Sequence, residues 1–106
     1  MRFAVALLAL ISTSAAAEPL KWYVVLGSFA VDNDGDQAAA GLRDKVARCG
    51  IDASTEYTVK MRGLRPGYVA TFTGPFPDKR AAERNLALAK SCVPDAYLKQ
   101  AEQGGE

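Results

Sequence analysis

Histidine is absent from all 106 residues. That removes histidine general bases, Ser-His-Asp and Cys-His arrangements, and most zinc sites. Cysteine occurs twice, with no Cys-x-x-Cys pair, so dithiol redox catalysis has no motif to rest on. No apolar run approaches the roughly 20 residues that span a bilayer. Charge of neither sign predominates: without Arg2, Lys plus Arg and Asp plus Glu stand at 12 each. A nucleic-acid partner would call for a basic excess and a membrane surface for a basic amphipathic helix, and neither is present. A hydrolase would need a nucleophile with its base or a carboxylate pair, and Glu56 and Glu83 show no pairing in sequence. Composition leans against an enzyme, and no cofactor is expected.

One acidic run, Asp32-Asn33-Asp34-Gly35-Asp36, resembles the start of a calcium loop. Such a loop needs Gly at its sixth position and a bidentate Glu at its twelfth. Those positions hold Gln37 and Arg43, and Arg43 reverses the charge of the last ligand. The run reads instead as a turn with Asp36 capping a helix, its acids at the positive end of the helix dipole. No metal site is expected.

What the chain does contain begins with an export signal. Arg2 precedes the apolar run Phe3–Ile11, followed by Ser-Thr-Ser and Ala15-Ala16-Ala17, which reads as a signal peptide over residues 1–17 cleaved near Glu18. The protein is therefore expected in the periplasm, with no membrane attachment after cleavage. The remainder is one small domain over residues 20–101, and residues 102–106 read as a disordered tail.

Along that domain, strands and helices alternate. Residues 22–29 are rich in β-branched and aromatic residues and read as a strand. Residues 36–49 read as a helix with Ala39, Leu42, Val46 and Cys49 on its inner stripe. Strands are expected over 55–61 and 68–73, forming a hairpin through the turn Arg62-Gly63-Leu64-Arg65-Pro66-Gly67. Asp78 can cap a second helix with Ala82, Leu86, Ala89 and Val93 inward. A short strand over 96–100 ends the domain. The halves resemble each other. Tyr23-Val24 with Gly27-Ser28-Phe29 answers Tyr68-Val69 with Gly74-Pro75-Phe76, and Ala39 and Cys49 recur forty-three residues on as Ala82 and Cys92. The pattern predicts an α+β fold, a split βαβ plait (βαββαβ): one four-stranded antiparallel sheet with two helices on one face and the other face open.

Tyr-Val-x-Leu-Gly-Ser-Phe, a helix opening with Gln-Ala, then Gly-Pro-Phe before a helix beginning Arg-Ala-Ala, resembles the SPOR (sporulation-related repeat) domain over nearly all of the mature chain. The resemblance implies a non-enzymatic βαββαβ module of the bacterial cell envelope. Such modules bind peptidoglycan glycan strands stripped of stem peptides and often gather at cell-division sites. Family members usually end a longer, anchored chain; here the domain starts at Leu20, close behind the signal, so a soluble factor is expected.

The family usually has Gln in the glycan groove where this chain has Val25, while Ser28 keeps the family identity. If Val24 and Leu26 face the helices, alternation puts Tyr23 and Val25 on the open face. Tyr68 stands beside Tyr23, Tyr57 and Arg62 lie at or near the hairpin, and the face of Phe72 depends on where its strand bulges before Gly74. Aromatic faces pack on sugar C–H groups while hydroxyls meet polar tips, so Tyr23, Val25, Ser28, Tyr57, Arg62, Tyr68 and Phe72 form the expected glycan-binding set. An alternative is an interaction domain that docks another envelope protein, its glycan site decayed, and Val25 favours it. Cys49 and Cys92 leave a conflict. An exported domain invites a disulfide, whereas antiparallel helices would put the two ends at opposite edges, beyond the ~7 Å that a bridge spans. The fold reading expects no internal bridge.

Overall fold

The computed structural model of the chain describes residues 20–103. The expected signal peptide and residues 104–106 lie outside them. The elements, in chain order, are β1 (Lys21–Ala30), α1 (Gly35–Ala47), β2 (Ser54–Tyr57), a 3₁₀ turn (Thr58–Lys60), β3 (Met61–Arg62), β4 (Tyr68–Phe76), α2 (Lys79–Lys90) and β5 (Tyr97–Gln103). The fold is α+β, with two helices and one antiparallel sheet. That sheet has five strands in the order β2-β4-β1-β5-β3, not the expected four. No helix among the described residues is long and apolar enough to cross a membrane.

The fifth strand comes from splitting the run read as one strand over 55–61. Ser54–Tyr57 pairs with β4 at one edge, while Met61–Arg62 pairs with Gln103 and Glu102 of β5 at the other. Residues 102 and 103, read from sequence as tail, are thereby strand residues. The crossing from edge to edge takes only Thr58–Lys60. Four Cα steps reach at most ~14 Å even when fully extended. A flat five-stranded sheet would put its outer strands ~19 Å apart, at ~4.8 Å per pairing. The sheet must curl, so that its edges approach each other.

The two long central strands show how the curl is built. β1 and β4 pair antiparallel with two irregularities in register. Between Val25 and Gly27, β1 carries one extra residue opposite β4, and between Thr73 and Phe76, β4 carries one extra opposite β1. Each is a bulge, which bends a strand and strengthens its twist. Each holds one of the duplicated glycines. A Cβ on Gly27 would lie 2.7 Å from Leu42 Cδ2 on α1, and Gly74 sits at φ +117°. The repeat seen in sequence is thus a repeat of bulges, one on each central strand.

The helices cover the convex side. Val24 and Leu26 pack with Val46, Ala89, Val93 and Ala96, with Leu42, Ile51, Leu86 and Cys92 around them. Thr71, also buried, donates its hydroxyl proton to the Ala39 carbonyl at 2.9 Å, tying α1 to the sheet. Asp78 caps α2 as expected, accepting from the Ala81 amide at 2.8 Å. Asp36 does not cap α1. The cap position is Asp34, held at φ +58° with no side-chain cap, and Asp36 sits in the first turn.

The structure corrects the cysteine expectation: Cys49 and Cys92 form a disulfide with Cα atoms 6.3 Å apart. The helices stop at Ala47 and Lys90, short of the cysteines, which lie in the turns that follow. At the first, Gly50 N–H donates to Ala47 O and Ile51 N–H to Val46 O, the Schellman pattern that folds a chain back. The internal repeat makes the two cysteines equivalent, and equivalent positions meet only near the axis relating the halves. Both helices end there.

Under non-reducing conditions the folded protein will therefore be a monomer two hydrogens lighter than its reduced form by intact mass. Closing a loop of sequence separation 43 contributes about 4 kcal/mol through the unfolded chain in the loop-entropy description. Reduction, or Cys49→Ser with Cys92→Ser, will lower the urea midpoint accordingly. An unchanged midpoint would count against this account.

Candidate functional site

The concave side of the curled sheet was expected to be an open platform. Its centre is instead a second core of Tyr23, Met61, Ala70, Phe72 and Ala101, closed further by Leu64. Tyr23 is 2% exposed, and Val25 and Phe72 are each 1% exposed. Val25 pairs opposite Phe72 on one side and Tyr97 on the other. The rings of Tyr23 and Phe72 meet edge to face at 5.4 Å. Alternation assigned Tyr23 to the correct side; the curl removes it from solvent. Small residues at Ala70 and Ala101 leave room for the strands to close over the aromatics.

Two other expected contacts are engaged away from this side. The Tyr57 hydroxyl donates to Asp36 Oδ2 at 2.8 Å, linking the β2 edge to the start of α1. Arg62 pairs with Glu102 directly across the β3–β5 ladder, with its Nε donating to Oε1 at 2.8 Å.

One mouth of the curl is accessible. A groove of about 220 Å³ is lined by Ser28, Thr58, Leu64, Arg65, Tyr68 and Tyr97. The bulge at Gly27 sets Ser28 there. It shifts the alternation by one, so that Ser28 pairs opposite Ala70 and shares the concave side instead of following Leu26 toward the helices. Tyr68 opens β4 and Tyr97 opens β5, so both line the groove from strand ends. Tyr97 is 48% exposed. The buried Thr58 fixes the groove wall, since its Oγ1 accepts from the Tyr68 amide at 3.1 Å. Val31 N–H donates to Gly67 O at 3.0 Å and pins the far end of the Arg65-Pro66-Gly67 turn.

Of the residues expected to meet glycan, only Ser28 and Tyr68 line this groove; Tyr97 and Arg65 were missed. The signal for Tyr97 was its place at the first residue of a strand that alternation alone left unassigned to a face. Arg65 was read simply as part of a turn. No group of His, Cys, Asp and Glu suited to a metal ion occurs among the described residues. No family model, curated protein or solved structure matches the chain.

The buried Val25 makes one substitution informative. Val25→Gln places an amide in an apolar interior. An unsatisfied buried polar group costs about 1–3 kcal/mol, so the variant will have a lower urea midpoint. A midpoint equal to wild type would mean that the side chain reaches solvent.

The two tyrosine hydroxyls that are perturbed titrate late. Burial raises the Tyr23 pKa, the Glu102 charge adds to this and a backbone hydrogen bond at Gln103 opposes it. The hydrogen bond to Asp36 is the main cause for Tyr57, followed by the Asp36 charge, burial and Glu56. In each case the folded pKa lies above the unfolded one. The associated stability is whole below the unfolded value, near ~10, and is lost as pH rises through the raised one. Urea midpoints followed into that alkaline range will fall, and Tyr23→Phe and Tyr57→Phe will each make the fall shallower. A fall as steep in both variants would contradict the assignment.

Proposed function

We propose that this chain is a non-enzymatic, SPOR-like module of the cell envelope that binds stem-peptide-stripped peptidoglycan glycan strands through the groove at the mouth of its curled sheet. The observation that carries this reading is that Tyr68, Tyr97 and Ser28 line the same accessible groove. Tyrosine rings pack on the C–H faces of sugars while their hydroxyls, with that of Ser28, meet sugar hydroxyls. An α+β fold with two helices on one antiparallel sheet, in the strand order β2-β4-β1-β5-β3, supports this reading without being specific to it. The signal sequence supports a periplasmic location, where such strands are found.

A second reading is favoured by the burial of Tyr23, Val25 and Phe72. If the family's glycan platform has closed over, the module docks another envelope protein instead.

Retention of the purified mature protein on isolated sacculi, before and after amidase treatment, separates the two. Glycan binding predicts retention that rises once stem peptides are removed, and a loss of about two- to tenfold in affinity for Tyr97→Ala, as expected for one aromatic contact. Retention on neither sample would end the glycan reading and leave the docking one.

A further inference from the structure

The groove has an unequal supply of donors and acceptors. A neutral sugar presents hydroxyl donors, and carboxylate or amide side chains are the strong acceptors that receive them. No Asp, Glu, Asn or Gln lines this groove. Its one charged side chain is Arg65, exposed at the rim. Arg62 and Arg43 pair with Glu102 and Asp44, whereas no carboxylate of the described residues pairs with Arg65. The turn that carries Arg65 is held on both sides, by Leu64 packed into the concave core and by the Val31–Gly67 backbone bond. The guanidinium is thus presented beside the two tyrosine rings from an anchored backbone. A planar fork of N–H donors matches a carboxylate in two parallel hydrogen bonds, a match that a hydroxyl cannot supply.

We propose that the groove selects sugars bearing a carboxylate, with Arg65 as the residue that reads the acid while Tyr68 and Tyr97 hold the ring. This rests on the glycan reading and narrows it. In peptidoglycan the acid is the lactyl carboxylate, which is free only where the stem peptide has been removed. Selectivity for stripped strands would then arise from charge as well as from steric access.

The test uses amidase-stripped glycan strands in two forms, native and with the lactyl carboxylates reduced to alcohols, and the wild-type protein beside Arg65→Gln and Arg65→Lys. An exposed charge-assisted bidentate contact corresponds to about a tenfold preference. Wild type will bind native strands about tenfold tighter than reduced ones, and added salt will erode the difference. Arg65→Gln will bind both forms alike, at the wild-type affinity for reduced strands, with an unchanged thermal midpoint. Arg65→Lys will keep part of the preference, because a point charge replaces the fork. Equal binding of both forms by wild type, or an undiminished preference in Arg65→Gln, overturns the proposal and leaves glycan binding intact. Binding of neither form by folded wild type overturns the glycan reading and this proposal together.

Discussion

The crossing from β2 to β3 in three residues governs the rest of this structure. A chain that joins opposite edges of one sheet with so little length forces those edges together. The concave side must then be filled by something, and Tyr23, Phe72 and Met61 fill it. Burying these side chains contributes about 1.5–3 kcal/mol each by area, which holds the curl closed. Strand bulges make the bend accessible without breaking the ladder, and they fall at Gly27 and Gly74, where the two halves of the chain repeat each other. A closed concave side and an accessible mouth are two consequences of the same short connection.

The convex side answers to a different constraint. A domain of this size buries a modest core, and small residues dominate the helix contacts here: Ala39, Ala82, Ala89 and Ala96 are all buried. Close approach of the helices to the sheet costs little volume but also yields little apolar area. The disulfide compensates by acting on the unfolded chain instead of on the packing. Its place at the junction of both helix ends ties together the two repeats, which otherwise meet mainly through β1 and β4.

Much of the local structure was legible in sequence because it depends on local rules. The inner stripes of both helices, the Asp78 cap and the two central strands follow from periodicity and turn chemistry. The α+β class and the single antiparallel sheet also follow from the alternation of elements, whereas the fifth strand and the split at residue 58 do not. That split was hidden because Thr58-Val59-Lys60 continues the alternation of the strand before it, and only the long-range pairing of Met61 with Gln103 shows that the chain has left. The disulfide was misjudged for a similar reason. Spacing assigns both cysteines to helix ends, but where two ends meet depends on how far each helix runs before its turn. Asp36 shows the local rule losing to a tertiary one: it has the identity of a cap, yet its carboxylate receives the Tyr57 hydroxyl from a strand twenty-one residues away.

The site was the least legible part, and the bulges explain why. Alternation counts residues by twos, and one extra residue at Gly27 moves Ser28 from the helix side to the concave side. A face assigned from Val24 onward is correct up to that point and inverted after it. The curl then divides the concave side into a buried centre and an exposed end, a division no periodicity encodes. Under the glycan reading proposed above, the contact surface moves accordingly, from the middle of a platform to its rim. A groove of about 220 Å³ is small beside sites that enclose a whole ligand, which run to roughly 300–1,000 Å³. Such a groove suits a polymer that lies across it and touches it with one short stretch. Each contact is weak, but a repeating strand offers the same stretch many times, and rebinding along it raises the effective concentration without any enlargement of the site. The curl that closes the platform is thus compatible with a polymeric ligand where it would be poorly suited to a free monosaccharide.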